Sequence, residues 1–486
     1  MTKVARLSAV AVAAALVIAS ISIWAGFSRR QANLEHEIAL LKAEGGCTHA
    51  VDLLPAPLGN KAGESVALLF PLQFKWPYPN AAVGGKPVDF RDAKVADAVK
   101  IRKAFDEYTT WLASWPSIAS VASNPSGRAA PRWNDDWRPW LGKLAADNGA
   151  FLDSVRSTVD GEPPMFDIDW SHGSETLLPH LSPLRSTARL LSADAVVRCR
   201  NGDTAGALED VGAILRLRLF IDKEPAAISH LVSYAIDSAA LRTIAVILEK
   251  GRPDRAAVEK MLAYLDGREE LNRLTTALLG ETAMGLDMFE LVSRNPDILA
   301  SSGLSSYLGY PQQGEPLSTK MERLVFRTRF KLTWSRTSDE ISFLKTMREI
   351  RARSRKDYPT MLEGLPDPSP ASTAVASASG PPKALAPLLV GSLPSLFRSQ
   401  AIADTHLRMT RAALALYLYR MDVGAYPATL DTLIPKYLKV PQLDPYDGRP
   451  LRYRPTGRGF TLYSVGPDSS DDSGASPSDI VWQHEE

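Results

Sequence analysis

The chain is poor in cysteine and has almost no excess of charge of either sign. Two cysteines, Cys47 and Cys199, in 486 residues exclude a disulfide-rich scaffold and a zinc site built from cysteines alone. The sequence leaves open whether these two thiols pair. Lysine and arginine together number 56 and aspartate and glutamate 55, for a formal net charge of +1. This balance argues against a nucleic-acid-binding protein, because such domains usually carry a marked positive charge.

Complete catalytic signatures are also missing. The sequence has no P-loop, no Gly-x-Ser-x-Gly nucleophile turn and no His-Glu-x-x-His metal motif. We therefore predict that the protein is not an enzyme, and we infer no small-molecule substrate. One alternative is an enzyme site in the polar segment that carries Asp167, Asp169, His172 and Glu175, which are metal-ligand residue types. Their spacing matches no established metal motif, and an ordinary polar loop explains the segment equally well.

Residues 7–28, near the N-terminus, form a stretch of 22 residues without a charge. As a helix this stretch would extend about 33 Å at about 1.5 Å per residue, enough to cross the hydrocarbon core of a membrane. Trp24 and Phe27 lie near its end, where aromatic side chains favour the headgroup region. We expect residues 7–28 to form a single membrane-spanning helix.

The residues around this stretch leave two points open. Lys3 and Arg6 precede it and two arginines follow it, so the charges do not decide the orientation. A cleaved signal peptide is the alternative to an anchor, because Ile23 and Ala25 stand where a signal peptidase could act. Both interpretations export the rest of the chain. We expect a protein of the bacterial inner membrane with most of its chain in the periplasm.

Composition and periodicity divide the chain into five parts. A connector rich in proline and glycine precedes a long stretch in which apolar residues recur at helical spacing. A segment dominated by Pro, Ala and Ser follows, and it has too few large apolar side chains to offset its chain entropy. The predicted parts are an anchor at 1–30, a juxtamembrane helix and connector at 31–91, a helical domain at 92–360, a linker at 361–388 and an α+β domain at 389–486. The predicted fold class is therefore mainly α, with one membrane-spanning helix, an irregular multi-helix domain and a small α+β domain.

The C-terminal part combines a long helix with short strands. Apolar spacing predicts a helix at 397–421, and alternation predicts strands at 451–454, 460–464 and 480–482. Glycines at the turn between the first two strands indicate a hairpin. We expect the helix to pack on a small antiparallel sheet.

Several motifs in this part occur in the order found in a known family. They are Gly424-Ala-Tyr-Pro427, Asp444-Pro445 with Gly448, Tyr463-Ser-Val-Gly-Pro-Asp468 and Asp479-Ile480. With them, the C-terminal part resembles the C-terminal domain of the type II secretion major pseudopilin. Pseudopilins also have a processed leader and a glutamate in the membrane helix, and neither is present here. We therefore expect a pseudopilin-like module on an anchored protein rather than a polymerising pilin.

The resemblance implies that an aspartate-rich loop binds calcium. Its ligands here would be Asp468, Asp471, Asp472 and Asp479. The chemistry agrees, because Ca²⁺ takes about six to eight oxygen ligands, and residues 468–479 contain no lysine or arginine. The spacing and the missing terminal glutamate exclude an EF-hand. A solvated acidic loop is the alternative.

These features together predict a structural or protein-interaction role in the bacterial envelope. The expected partners are the membrane, through residues 7–28, and an envelope protein that the sequence does not identify. A component of a type II secretion or pilus-like system is the alternative.

Overall fold

The structure is a computed structural model, and it describes residues 3–53, 93–113, 134–161, 166, 168–266, 271–294, 333–365, 385–391, 393–475 and 478–485. Helices dominate these residues, and a three-stranded antiparallel sheet lies near the C-terminus. The described helices are α1 (Lys3–Ala43), α2 (Ala93–Ala113), α3 (Trp137–Asp147), α4 (Gly149–Val159), α5 (Leu181–Arg200), α6 (Thr204–Leu217), α7 (Ala227–Lys250), α8 (Arg255–Asp266), α9 (Leu271–Arg294), α10 (Thr333–Ser354), α11 (Tyr358–Leu362), α12 (Ala386–Val390) and α13 (Leu393–Val423). The strands are β1 (Arg452–Thr456), β2 (Gly459–Ser464) and β3 (Ile480–Glu485). Short 3-10 turns lie at Ala50–Leu53, Trp170–Glu175, Arg218–Phe220 and Leu430–Leu433.

The junction between α5 and α6 shows how the sequence sets helix ends. Gly202 has a φ of 92°, which glycine adopts readily, and it follows the last turn of α5. The Asp203 side chain then caps α6 by accepting a hydrogen bond from the Gly206 amide at 2.9 Å. The two helices pack directly against each other.

The core lies around α7, which contacts α5, α6, α9 and α13. Ile236, Ala240, Ile244 and Ile247 are fully buried, as expected for a helix whose side chains are buried on most sides. Among the described side chains, α7 is the one helix whose length and composition would allow it to cross a membrane. Its most apolar stretch is 78% buried by the rest of the protein, so α7 is the central helix of the core.

Helix α1 connects the predicted anchor to the helical body. It is a continuous helix of 41 residues, and its C-terminal end packs on α10. Leu41 is buried there, Glu37 pairs with Arg348 at 3.4 Å, and Glu44 pairs with Arg351 at 2.9 Å. The predicted juxtamembrane helix is therefore the end of α1. The side chains of residues 1–19 lie outside the described part.

Helix α13 joins the helical body to the sheet. It packs on α7 and α8 and also contacts β2. Arg411 of α13 donates a hydrogen bond from Nε to the Leu265 carbonyl of α8 at 3.1 Å. The strand order is β1-β2-β3, and both pairs are antiparallel. One continuous apolar cluster includes Leu241 of α7, Leu414 of α13 and Leu462 of β2. The prediction of a mainly α fold with a small antiparallel sheet near the C-terminus is confirmed.

Two predicted segments lie largely outside the described residues. They are the connector, of which residues 54–92 are not described, and the linker, of which residues 366–384 are not described. Both described ends of the linker are packed, because Met361 and Leu385 are fully buried. The Leu385 amide donates to the Asp339 carboxylate of α10 at 2.9 Å. The two ends of the linker are thus fixed to the helical body.

Candidate metal and interaction sites

The acidic loop predicted to bind calcium connects β2 to β3. Asp468, Asp471 and Asp472 are exposed, whereas Asp479 is buried just before β3. Among the described residues, no three of these four carboxylates bring oxygen atoms within 4.8 Å of one another. The loop therefore supplies the oxygen ligands that calcium prefers, but it spreads them along its length.

The two ends of this loop touch each other. Gly466 has a φ of 66°, and a Cβ there would lie 1.8 Å from the Ser478 carbonyl oxygen, so the close approach requires glycine. The Ser478 hydroxyl donates a hydrogen bond to Asp468. The Gly474 amide donates to the Asp479 carboxylate at 2.9 Å. Asp468 and Asp479 are thereby held at the closed base of the loop.

Asp471 is hydrogen-bonded to side chains of the sheet. Its carboxylate accepts hydrogen bonds from the Ser473 amide and the Tyr463 hydroxyl, each at 3.0 Å, and from Arg452 Nε at 3.3 Å. The hydrogen bond from Ser473, with those from Tyr463 and Arg452, lowers the pKa of Asp471. A metal ion would have to compete with Arg452 for this carboxylate.

Arg452 of β1 was not predicted as part of the site. Its guanidinium pairs with Asp444 at 3.2 Å, with Asp471 at 3.3 Å and with Asp447. The hydrogen bond to Asp447 is the main cause of the raised pKa of Arg452. The predicted hairpin could have indicated this role. Its register places Arg452 of β1 opposite Tyr463 of β2, close to the start of the acidic loop.

Asp444 of the Asp-Pro motif is fully buried and has a structural role. Its carboxylate accepts hydrogen bonds from the Ser464 hydroxyl at 2.8 Å and from the amides of Val465 and Tyr446 at 2.9 and 3.0 Å. Burial raises the pKa of Asp444 in spite of these bonds. The motif fastens the turn before β1 to the end of β2, and Arg452 supplies the compensating charge.

A cleft of about 630 Å³ lies on the helical body between α4, α6 and α8. Three basic side chains, Arg156, Arg216 and Lys260, line it together with apolar ones. Arg156 is held by Asp210 at 2.7 Å and Asp194 at 2.5 Å. Burial raises the pKa of Asp210 to about 6, although Arg156 acts in the opposite direction. The volume falls within the range of ligand-binding pockets.

Of the four residues considered for catalysis, the structure describes the side chains of two, Asp169 and His172. Asp169 and His172 form a pair at 3.3 Å on the surface, where both side chains are mostly exposed. Asp167 lies outside the described residues, and so does the side chain of Glu175, at the end of the Trp170–Glu175 turn. The exposed pair has the geometry of a surface ion pair, and it offers no enclosed site for a substrate.

A buried polar cluster next to this segment was not predicted. His180 is buried, stacks on Phe166 at 4.0 Å between ring centroids, and pairs with Glu224 at 2.7 Å. The hydroxyl of Ser229 donates a hydrogen bond to Glu224. Glu224 and Ser229 lie on either side of the start of α7. Because both are far from His180 in sequence, no local sequence motif predicts the cluster.

The two cysteines are not bonded to each other. Cys199 is buried in α5, and Cys47 is half-buried after α1. Burial raises the pKa of the Cys199 thiol to about 11 and also raises that of Cys47. Both thiols are therefore mainly protonated and weakly nucleophilic near neutral pH.

Comparison with protein-family models, with curated proteins and with solved structures gave no match to this chain.

Proposed function

We propose that this chain is a single-pass protein of the bacterial inner membrane. Its helical body and pseudopilin-like C-terminal module lie in the periplasm and bind another envelope protein. One observation carries the proposal: α1 is a single helix that is apolar and exposed near its middle and docked on the body at its end.

The exposed part of α1 has the character of a membrane-embedded surface. Ile21, Trp24 and Phe27 are 58%, 70% and 41% exposed, although all three are large and apolar. Such side chains are unfavourable in water, and aromatic residues favour the membrane interface. Farther along, Leu41 and the Glu44–Arg351 pair fix the helix to α10. An anchor of this kind would hold the helical body close to the membrane.

The order of elements supports the pseudopilin-like module. A long helix, α13, is followed by three antiparallel strands, and the acidic loop joins the last two. Asp468, Asp471, Asp472 and Asp479 would hold calcium once the loop brings their carboxylates together and Arg452 releases Asp471. Calcium, when bound, neutralises carboxylate charge and links the ends of a loop.

The cleft between α4, α6 and α8 supports the interaction role. Apolar side chains line it together with charges of both signs, including Arg216 paired with Asp160 at 2.9 Å, and such a lining suits an amphipathic segment. A second candidate function, association with a type II secretion or pilus-like system, rests on the pseudopilin-like module. Co-purification of secretion components with the membrane-extracted protein would favour this candidate, and a protein that purifies alone would count against it.

Alkaline carbonate extraction of bacterial membranes tests the anchor. We expect the full chain to stay in the membrane pellet, because a spanning helix resists extraction. Sequencing of the N-terminus distinguishes the alternatives. A soluble periplasmic chain that begins after Ala25 would replace the anchor by a cleaved signal peptide.

Thermal unfolding of the whole chain with calcium and with a chelator tests the loop. Calcium at one hundred times its dissociation constant should stabilise the folded state by about 2.7 kcal/mol. Asp472→Asn should lose most of this effect, and Asp431→Asn, an exposed change in the turn at Leu430–Leu433, should keep it. No shift at millimolar calcium would leave the loop as solvated surface.

A further inference from the structure

Three potential metal ligands meet where the segment after α1 crosses α9. His49 directly precedes the 3-10 turn Ala50–Leu53, and Asp287 and Glu290 lie on α9. The two carboxylates are three residues apart and share one face of the helix. One ligand atom from each of the three side chains lies within 4.8 Å of the others.

Asp287 is held in place by contacts outside this group. Its Oδ1 lies 2.6 Å from His49 Nδ1, and its Oδ2 accepts a hydrogen bond from the Ala50 amide at 3.0 Å. A Cβ added to Gly173 would lie 2.9 Å from the Asp287 Cβ, so the Trp170–Glu175 turn packs directly on this residue. The Cys47 thiol donates to the His49 carbonyl at 2.8 Å and fixes the backbone on the other side. Such outer contacts orient ligands at metal sites.

The group is open to solvent on one side. The His49 side chain is 48% exposed, whereas that of Asp287 is 12% exposed. Glu290 lies at the rim, where it pairs with Arg294, whose side chain is 74% exposed. Exposed pairs of this kind are weak, so Glu290 can exchange Arg294 for an ion at small cost.

We propose that His49, Asp287 and Glu290 bind a divalent transition-metal ion such as Zn²⁺. One imidazole nitrogen with two carboxylates is a donor set that suits zinc, cobalt or manganese, whereas calcium and magnesium take oxygen ligands. The ion takes the place of the proton that His49 and Asp287 share, and water completes its coordination. Bound there, it links the segment that follows the anchor helix to α9.

Titration of the metal-free whole chain with Co²⁺, followed by its visible absorption, tests this site. We expect one equivalent to bind and to be displaced by Zn²⁺. His49→Ala and Glu290→Gln should each weaken binding at least tenfold, about the loss seen when supporting groups at metal sites are removed. Both residues lie at the surface, and circular dichroism would verify that the variants fold.

His36→Ala provides the matched control, because His36 is an exposed histidine on α1, outside the segments that contact Asp287. It should bind Co²⁺ as the unmodified protein does, and so should Asp472→Asn in the acidic loop. Absence of Co²⁺ binding to the unmodified chain would overturn the proposal. Unchanged affinity in folded His49→Ala would overturn it as well.

Discussion

At the residue scale, Arg452 joins acidic residues from two segments around the C-terminal sheet. Its guanidinium reaches three carboxylates, and one of them, Asp444, is fully buried. A buried carboxylate that loses its compensating charge is costly, even when its hydrogen bonds remain. The acidic turn before β1 and the acidic loop after β2 are thus joined through one basic residue.

We predict that Arg452→Ala lowers the free energy of unfolding by about 1–3 kcal/mol, since it leaves Asp444 buried and uncompensated. Urea unfolding followed by circular dichroism measures the loss. Arg458→Ala is the matched control, because Arg458 is exposed in the turn between β1 and β2. The control should change stability by less than about 0.5 kcal/mol. Equal effects of the two changes would contradict the structural role of Arg452.

A buried histidine in α13 predicts a pH dependence. Burial, assisted by nearby Arg242, lowers the pKa of His406 from 6.5 to about 3. The unfolded chain therefore binds a proton on His406 in a pH range where the folded protein does not. The stability that His406 contributes is complete above about pH 6.5 and is lost as the pH falls toward about 3.

We expect His406→Gln, which cannot titrate, to reduce the slope of unfolding free energy against pH. The difference reaches about 1.4 kcal/mol per pH unit between about pH 4 and 6. Urea unfolding of both proteins at several pH values measures it, and the comparison cancels the contribution of the buried carboxylates. Parallel slopes would show that His406 takes up its proton over the same pH range in the folded and unfolded states, and would contradict the lowered pKa.

Individual residues of the sites were only partly predictable from sequence. The four aspartates of the loop were named from the pseudopilin resemblance and from composition, and their role as calcium ligands stays a prediction. The partners Arg452 and Glu224 come from other elements, so their roles depend on strand register and helix packing. Periodicity specifies which face of an element is apolar, but it does not specify which distant side chain meets a given carboxylate.

At the element scale, the acidic loop depends on a glycine at its base. Gly466 and Gly457 both have a positive φ. We expect Gly466→Ala to lower the free energy of unfolding by more than Gly457→Ala does. A left-handed residue other than glycine costs about 1–2 kcal/mol at either position. A Cβ at position 466 also meets the Ser478 carbonyl oxygen, whereas one at 457 meets nothing within 4 Å. Urea unfolding measures both variants, and an equal loss would mean that the loop does not close as described.

The helices and strands themselves followed well from the sequence. Apolar periodicity indicated the helical character of 92–360 and the helix α13, and alternation indicated the three strands; the boundaries of α13 and the strands differ from the predicted ones by a few residues. Helix α9, Leu271–Arg294, lies within the helical domain predicted at 92–360. The group of potential metal ligands formed by His49, Asp287 and Glu290 was not predicted. His49 lies in another part of the chain, and no spacing rule connects it to Asp287.

At the scale of the whole molecule, α13 belongs to two environments at once. One part of its surface contacts β2, and another packs on α7 and α8 through contacts such as Arg411 with the Leu265 carbonyl. Cutting the chain before α13 would expose apolar surface on both sides of the cut. Experiments on the acidic loop therefore use the whole chain, and the predicted boundary at 389 stays a prediction.

In the proposed topology, the helical body and the C-terminal module lie outside the cytoplasm on a membrane anchor. Labelling of spheroplasts with a membrane-impermeant maleimide tests this topology most directly. The reporter is Arg458→Cys, because Arg458 is exposed. Cys47 is changed to Ser, and Cys199 can stay because it is buried. We expect labelling without lysis, while Thr2→Cys in the same background is labelled only after lysis. Labelling of Arg458→Cys only after lysis would place the body in the cytoplasm and contradict the account.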